Sequence, residues 1–186
     1  MKTHFDIENI IEKGSITNEL DYDRALIADR KLRLLAKESI HFKNLRLKLR
    51  DIIEKYESSE WSDIDKIDNH KLVESEKSEH IAEQERLFIE NRKKTIRKKI
   101  KELDLTQENL ASILGHKSKT HMSELMNGIK PFTLKDLIII NRLLKIEISQ
   151  LIPMFLSKED QIKVKEAVKK LDKPKVSFAS DEFVLS

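Results

Sequence analysis

Residues 105–128, LTQENLASILGHKSKTHMSELMNG, carry the clearest folding signal in the chain. Their apolar side chains recur at spacings of three and four on both sides of Gly115, a pattern that predicts two short helices joined by a turn. Thr106 is a favourable residue for capping the start of a helix, whereas Asn127 and Gly128 favour the left-handed turn that ends one. This segment therefore predicts two helices separated by a glycine turn.

Helical patterns continue on both sides of this pair. Upstream, an apolar stripe predicts a helix from about Glu83 through the basic residues 92–99. Downstream, Thr133 and Asp136 have the spacing of a capping box, which predicts the start of a helix at Leu134–Leu144. That segment is so apolar that we expect it at the centre of a core. Two further helix starts are predicted at Ser149 and at Ser157 with Asp160.

The first 62 residues have a helical pattern of their own. Apolar residues recur at helical spacing over 22–35 and over 42–56, and Ser39 between them is a favourable N-cap. Two helices with a short joint predict an antiparallel hairpin. Because a hairpin buries little by itself, we expect it to pack on another part of the chain or on a partner. Residues 1–17 are weakly patterned, and we expect them to form a loosely attached arm.

The segment after the hairpin is acidic. Residues 62–79 hold six acidic side chains and few aliphatic ones, which predicts a linker. The same residues could equally form an acidic helix ordered against a basic surface. The predicted division of the chain is an N-terminal helical region at 1–62, an acidic linker at 63–80, a helical domain at 81–157, and a C-terminal helix and tail at 158–186.

The composition favours an all-α fold and excludes several kinds of site. Six glycines and prolines and ten aromatic residues among 186 are too few for an extended β fold. The absence of cysteine excludes disulfides, thiolate metal sites and cysteine nucleophiles, and it suits a cytoplasmic protein. The first residues lack the pattern of a secretory signal, and the longest wholly apolar run, 137–140, is far too short for a membrane helix.

The rear half of the chain has the charge and the helices for binding DNA. Residues 91–186 hold 20 basic and 12 acidic side chains, whereas residues 1–90 hold 16 and 21, which indicates two different partners. The second helix of residues 105–128 carries small polar and basic side chains suited to base edges, and flanking cations and helix N-termini would hold phosphates. Apolar residues would fix it on the first helix, namely Ala111, Ile113, Met122 and Leu125. The candidate DNA-contacting residues are Thr106, Gln107, Lys117, Ser118, Lys119, Thr120, His121, Ser123, Asn127 and Lys130.

Three sequence elements occur in a characteristic order: LTQ..LA..LG from Leu105, then Ser123 with Asn127-Gly128, then Leu134 and Leu137. In this order they resemble the Cro/C1-type (XRE) family of helix-turn-helix regulators over roughly residues 80–155. The resemblance implies a five-helix, lambda-repressor-like domain. It also implies that Gln107 lies at the DNA backbone and that residues 118–123 lead a recognition helix in the major groove. The stretch 115–128 is longer than the commonest family pattern. Because one such helix gives too little affinity, we expect a homodimer that reads two half-sites and joins through the last helices, around 148–171.

A narrower resemblance includes the front half. Tyr22-x-x-Ala25-Leu26, followed by IEKYE at residues 53–57 and then by an XRE domain, is similar to HigA-type antitoxins. The resemblance implies a repressor of its own operator that also neutralises a small basic RelE/HigB-like mRNA-interferase toxin. The acidic region 51–90 would then cover a basic toxin surface or serve as a protease-sensitive linker. The alternatives are a stand-alone XRE-family regulator and a protein-interaction module whose helix-turn-helix does not bind DNA.

Several residues have two interpretations at this stage. The basic run 92–99 would either follow DNA phosphates or form a solvated helix face. Tyr56 and Trp61 would either anchor a partner or close the hairpin core. His116 and His121 are five residues apart, which is poor spacing for metal binding on one helix face, so we expect a polar contact to DNA and no metal. The sequence contains no phosphate-binding glycine loop and no catalytic motif, so we expect neither an enzyme nor a cofactor.

Overall fold

The computed structural model describes residues 7–63, 68–153, 158–171 and 173. The regular secondary structure of these ranges is helical and includes no strand, which confirms the prediction of an all-α fold. None of the helices described there is both long and apolar enough to cross a bilayer. The helices are α1 (Ile7–Lys13), α2 (Glu19–Leu35), α3 (Ile40–Glu60), α4 (Asn69–Glu102), α5 (Gln107–Leu114), α6 (Lys119–Asn127), α7 (Leu134–Leu144), α8 (Ile148–Leu151) and α9 (Lys158–Lys170).

Local capping residues set most of these helix ends, as the sequence predicts. Thr106 forms a capping box with Asn109 at the start of α5, and Thr133 forms one with Asp136 at the start of α7. Gly115 ends α5 in the left-handed conformation, as Gly128 does for α6. The prediction for Ser149 is wrong, because α8 begins one residue earlier and Glu147 precedes it without a side-chain cap. Ser157 lies outside the described residues.

Helices α2 and α3 form the predicted antiparallel hairpin. Tyr22 near the start of α2 stacks on Tyr56 near the end of α3, whereas Arg46 in the middle of α3 pairs with Asp29 further along α2. The hairpin encloses the first of two cores, which also takes in α1 and Ile129 from the connection between α6 and α7. This front core contains Ile7, Ile10, Ile16, Ala25, Ala28, Leu32, Leu35, Phe42, Leu45, Leu49, Ile52, Ile53, Tyr56 and Ile129.

The expectation of a loosely attached arm is wrong for the described part of residues 1–17. Ile7 and Ile10 of α1 are only 2% and 4% exposed, and the Ile7 amide donates a hydrogen bond to the Ile129 carbonyl at 3.4 Å. The pattern of this segment is weak because α1 spans only seven residues, but its apolar side chains fill the front core. Helix α1 is therefore an integral part of the fold.

The acidic segment is helical from Asn69 onward. Of its two interpretations, a linker or an acidic helix, residues 69–80 take the second and begin the 34-residue helix α4. Asp68 caps this helix by accepting a hydrogen bond from the Lys71 amide. Helix α2 packs against α4, on which the small residues Ser78 and Ala82 are buried. Helix α4 thus continues without a break from its packing against α2 into the second core.

The second core lies between the rear half of α4 and helices α5 to α8. Leu137, Ile140 and Leu144 place α7 within it, as the apolar composition of α7 predicts. One expectation fails, since Ile113 is 45% exposed. The residues of this rear core are Ile96, Ile100, Leu110, Ala111, Leu114, Met122, Leu125, Met126, Phe132, Leu137, Ile140, Leu144, Ile146 and Leu151.

Candidate nucleic-acid interface

Helix α6 is fixed along most of its length and open at its N-terminal end. The Ser118 hydroxyl caps it by accepting a hydrogen bond from the His121 amide at 3.2 Å. Met122, Leu125 and Met126 are buried in the rear core, as the sequence predicts. Because an α-helix leaves its first amide groups without intrahelical partners, the N-terminal end of α6 offers positive partial charge to an anion.

The side chains at this end are exposed and cationic. Lys117, Ser118 and Lys119 are exposed, while Thr120 and Ser123 are partly buried. The Lys119 ammonium lies 2.6 Å from the Glu108 carboxylate, but both side chains are largely in solvent. Such a surface ion pair stabilises little, so Lys119 can leave Glu108 for a better anionic partner at small cost.

A groove of about 690 Å³ runs between this end of α6, helix α5 and helix α4. Helix α4 contributes Lys93 and Arg97 to its wall, and the joint after α2 contributes Glu38. Four lysine and arginine side chains therefore face two carboxylates, which gives the groove a cationic character. Six of the ten candidate DNA-contacting residues line it, namely Gln107, Lys117, Ser118, Lys119, Ser123 and Asn127.

Asn127 lines the groove but is committed to internal hydrogen bonds. Its side-chain oxygen accepts from the Lys93 ammonium at 2.5 Å, and its amide nitrogen donates to the Ser123 carbonyl at 2.8 Å. Burial, and then the neighbouring charge of Arg97, lowers the pKa of Lys93 below its ordinary value. Asn127 therefore braces α6 against α4, and only 7% of it is exposed.

Lys130 points away from the groove and into an ionic cluster. Its ammonium lies 2.9 Å from a Glu8 carboxylate oxygen and 3.1 Å from one of Glu124. Burial acts to lower the pKa of Lys130, but the hydrogen bonds to the two carboxylates outweigh it and the pKa lies above its ordinary value. This side chain joins α1 to α6 and is not placed beside the exposed end of α6.

The two histidines of the predicted interface also turn toward carboxylates. The His121 Nδ1 lies 3.4 Å from Glu124, and its ring packs edge-on against the His116 ring at 4.8 Å between centroids. The His116 Nε2 lies 3.1 Å from the Asp136 carboxylate. These contacts leave His121 partly buried. Thr106, another candidate DNA-contacting residue, is exposed, and its side chain takes part in the capping box of α5.

The basic run 92–99 divides between core and surface. Arg92 is only 2% exposed, its guanidinium packs over the Phe88 and Phe132 rings, and its Nη1 donates to the Leu151 carbonyl at 3.2 Å. Burial lowers the pKa of Arg92 to about 10. Neither sequence interpretation holds for Arg92, because it lies on the apolar stripe that joins Phe88 to Ile96. Arg97, by contrast, is exposed beside the groove.

Sequence reasoning missed two residues that shape this region. Glu38 reaches the groove only because the end of α2 packs near α4 and α5, a contact that no local pattern predicts. Glu124 is 2% exposed and collects contacts from His41, His121 and Lys130. In the sequence Glu124 looks like an ordinary surface residue of α6. Its burial follows only from the packing of the front helices against α6.

The tyrosine motifs of the front half meet inside the hairpin. The Tyr22 hydroxyl donates to Glu57 at 2.7 Å, the Tyr56 hydroxyl donates to Glu19 at 2.8 Å, and the two rings lie 5.0 Å apart. Tyr56 is 8% exposed, and Trp61 packs against the same core. These contacts support the interpretation of Tyr56 and Trp61 as core residues.

Comparison of the chain with family models, curated proteins and solved structures finds no match.

Proposed function

We propose that the chain is a sequence-specific DNA-binding repressor of the Cro/C1 type. In this proposal the rear half of α4 and helices α5 to α8 form the five-helix domain, α5 and α6 form the helix-turn-helix, and α6 is the recognition helix. The observation that carries the proposal is the exposed, cationic N-terminal end of α6 beside a groove whose walls hold Lys93 and Arg97. Such an end is the part of a recognition helix that reaches base edges.

The contacts of the candidate residues suggest a division of roles. Lys119 and Thr120 stand at the start of α6 and would read bases, with Ser123 one turn further on. Gln107 and Lys117 at the groove wall, together with Arg97, would hold phosphates. Asn127 and Lys130 would act indirectly, because their polar atoms already hold α6 against α4 and α1.

A dimer is part of the proposal. One short helix offers few base contacts, so specific affinity needs a second copy of the chain on a second half-site about 34–36 Å away along the duplex. The exposed apolar residues Leu134 and Ile138 are one turn apart on α7, and Ile148 is exposed on α8. Their exposure is compatible with a contact between copies near the last helices.

Binding to DNA is tested with the full chain and a labelled duplex from the gene's own upstream region. Fluorescence anisotropy against a scrambled duplex is measured over a series of salt concentrations. We expect tighter binding to the native duplex, with an affinity that falls linearly on a log–log salt plot because phosphate contacts release counterions. Equal, weak and salt-insensitive binding to both duplexes would instead favour a protein-interaction module.

We further propose that the front helices make this repressor a HigA-like antitoxin. The support is the folded hairpin that the Tyr22 and Tyr56 motifs hold together, and the acidic side chains that remain exposed beside it. A small basic RelE/HigB-like toxin would complement that surface. The exposed acidic residues on α3 and the first half of α4 are Asp51, Glu54, Glu60, Glu74, Glu76 and Glu79.

Toxin neutralisation is tested by co-expression with a small basic protein encoded beside the gene. Deleting the front helices is unsuitable, because Ile129 of the rear half belongs to the front core. A Glu74→Lys/Glu76→Lys variant reverses charge on exposed positions and should lose protection while keeping DNA binding. A Glu12→Lys/Glu102→Lys variant, which reverses charge at two exposed acidic positions outside that surface, is the control. Full protection by the first variant would contradict the proposed surface.

A further inference from the structure

Three potential metal ligands from three helices meet behind α6. Glu8 of α1, His41 of α3 and Glu124 of α6 each present one nitrogen or oxygen atom, and these three atoms lie within 4.8 Å of one another. Two of them, His41 Nε2 and Glu124 Oε1, lie 2.7 Å apart. The three residues are far apart in the sequence, so the folding of the front helices onto α6 creates this cluster.

The cluster is electrostatically suited to a cation. The Glu124 side chain is only 3% exposed, and the ammonium of Lys130 lies within hydrogen-bonding distance of both Glu8 and Glu124. A buried carboxylate is costly without a cationic partner. The position between the two carboxylates therefore already stabilises one positive charge, which Lys130 supplies from its own side chain.

The ligand types match a divalent transition metal. Imidazole nitrogen and carboxylate oxygen are ligands that Zn²⁺ accepts, with three protein ligands and a water in open sites. Metal bonds of about 2.0–2.2 Å require the three atoms to draw closer than their present spread. His41 can supply that movement, because 43% of its side chain is exposed, whereas Glu124 is held by the surrounding core.

We propose that Glu8, His41 and Glu124 bind a divalent transition-metal ion such as Zn²⁺, and that the Lys130 ammonium is the competing cation that moves away when the metal binds. The ion would link α1 and α3 to α6. This inference goes beyond the proposed function and does not depend on it, since it concerns residues behind the DNA-facing end and is measured without DNA.

The test uses the full chain without a histidine tag. Zn²⁺ binding is measured by isothermal titration calorimetry, and Co²⁺ is used as a spectroscopic probe because its visible absorption reports direct nitrogen and oxygen ligation. We expect one ion per chain. His41→Gln should weaken binding at least tenfold, and Lys130→Met should strengthen it severalfold because the competing charge is removed. His80→Gln, at an exposed histidine of α4, is the matched control and should bind as the wild type does.

Circular dichroism of each variant separates loss of the ligand from loss of the fold. His41→Gln changes a side chain at the surface and should keep the wild-type helical spectrum, so it remains informative even where a change at Glu124 unfolds the chain. Equal affinity of His41→Gln and the wild type would overturn the proposal. The absence of any calorimetric or Co²⁺ signal from the wild type at millimolar metal would overturn it as well.

Discussion

The Tyr22 hydroxyl on α2 donates a hydrogen bond of 2.7 Å to the Glu57 carboxylate on α3. These residues belong to the two short motifs on which the resemblance of the front half to HigA-type antitoxins rests. The motifs therefore meet as one contact inside the hairpin, where they hold α2 and α3 together. The contact that they share in this chain is structural.

Removing this hydroxyl tests its contribution to stability. We expect Tyr22→Phe to lower the free energy of unfolding by about 1 kcal/mol, because a partly buried hydrogen bond to a charged acceptor is lost while the ring packing stays. Tyr56→Phe should cost more, since its partner Glu19 is 4% exposed and would lose the bond that this hydroxyl makes to it. Urea unfolding followed by circular dichroism measures both. Equal stability of Tyr22→Phe and the wild type would contradict the role of this bond.

Gly128 ends α6 at a position where any side chain would be strained. Its φ is +70°, and a Cβ atom there would lie 2.7 Å from the Ile89 Cγ2. Gly14 has the same φ, but a Cβ atom there would have no other atom within 4 Å. A substitution at Gly14 therefore measures the cost of the backbone conformation alone. We expect Gly14→Ala to cost about 1 kcal/mol and Gly128→Ala about 2 to 4 kcal/mol, because the second adds a steric clash. Equal losses in thermal unfolding would show that the contact with Ile89 relaxes freely.

Asp23 makes stability depend on pH. Burial raises the pKa of Asp23 to about 6, and the carboxylates of Glu19 and Glu79 add to the shift. Because this pKa lies above the ordinary value of 3.8, the contribution of Asp23 is fully present below about pH 4 and is lost as the pH rises through about 6. We expect Asp23→Asn to be more stable than the wild type at pH 8 by about 1 kcal/mol, after allowance for solvent screening.

The check for Asp23 is urea unfolding of the wild type and the variant at several pH values from 4 to 8. The difference in unfolding free energy should grow across this range. Asp29→Asn provides a comparison at a carboxylate on the same helix that pairs with Arg46. A constant difference between Asp23→Asn and the wild type across the whole range would contradict the linkage.

Two arginines of one basic run should behave differently. Arg92→Ala should lower the free energy of unfolding by about 3 kcal/mol, because it removes a buried side chain that packs on Phe88 and Phe132. Arg97→Ala should leave stability within about 0.5 kcal/mol and reduce the log–log salt slope of DNA binding by about 0.9, the effect of one phosphate contact. A stable Arg92→Ala variant with a reduced slope would reverse these assignments.

Features set by neighbouring residues were predictable from the sequence. Thr106 and Thr133 cap their helices through side chains three residues on, and Gly115 and Gly128 end theirs through their own backbone freedom. These signals act within one helical turn, so the sequence displays them directly. The exposure of Lys117 and Lys119 was predictable for the same reason, because they flank Ser118, the N-cap of α6.

Features set by distant residues were not predictable. Ile7 is buried in the front core together with Ile129, which is distant in the sequence. Lys130 leaves the predicted interface because Glu8 and Glu124 hold it. Residues 69–80 are helical as the first part of α4, which packs against α2, although their acidic composition predicts a linker. Of these residues, only Arg92 had a burial that the sequence could have indicated, because it lies on the apolar stripe of α4 four residues before Ile96.

The central claim is that the N-terminal end of α6 reads DNA sequence. Its most direct test is the affinity ratio between the native upstream duplex and a scrambled one for a Lys119→Ala/Thr120→Ala variant. Lys43→Ala/Asn44→Ala, at exposed positions of α3, is the matched control. We predict that the ratio falls at least tenfold in the α6 variant, since each lost base contact costs about 1 to 3 kcal/mol, and that it stays unchanged in the control. An α6 variant that keeps the wild-type ratio would contradict the claim.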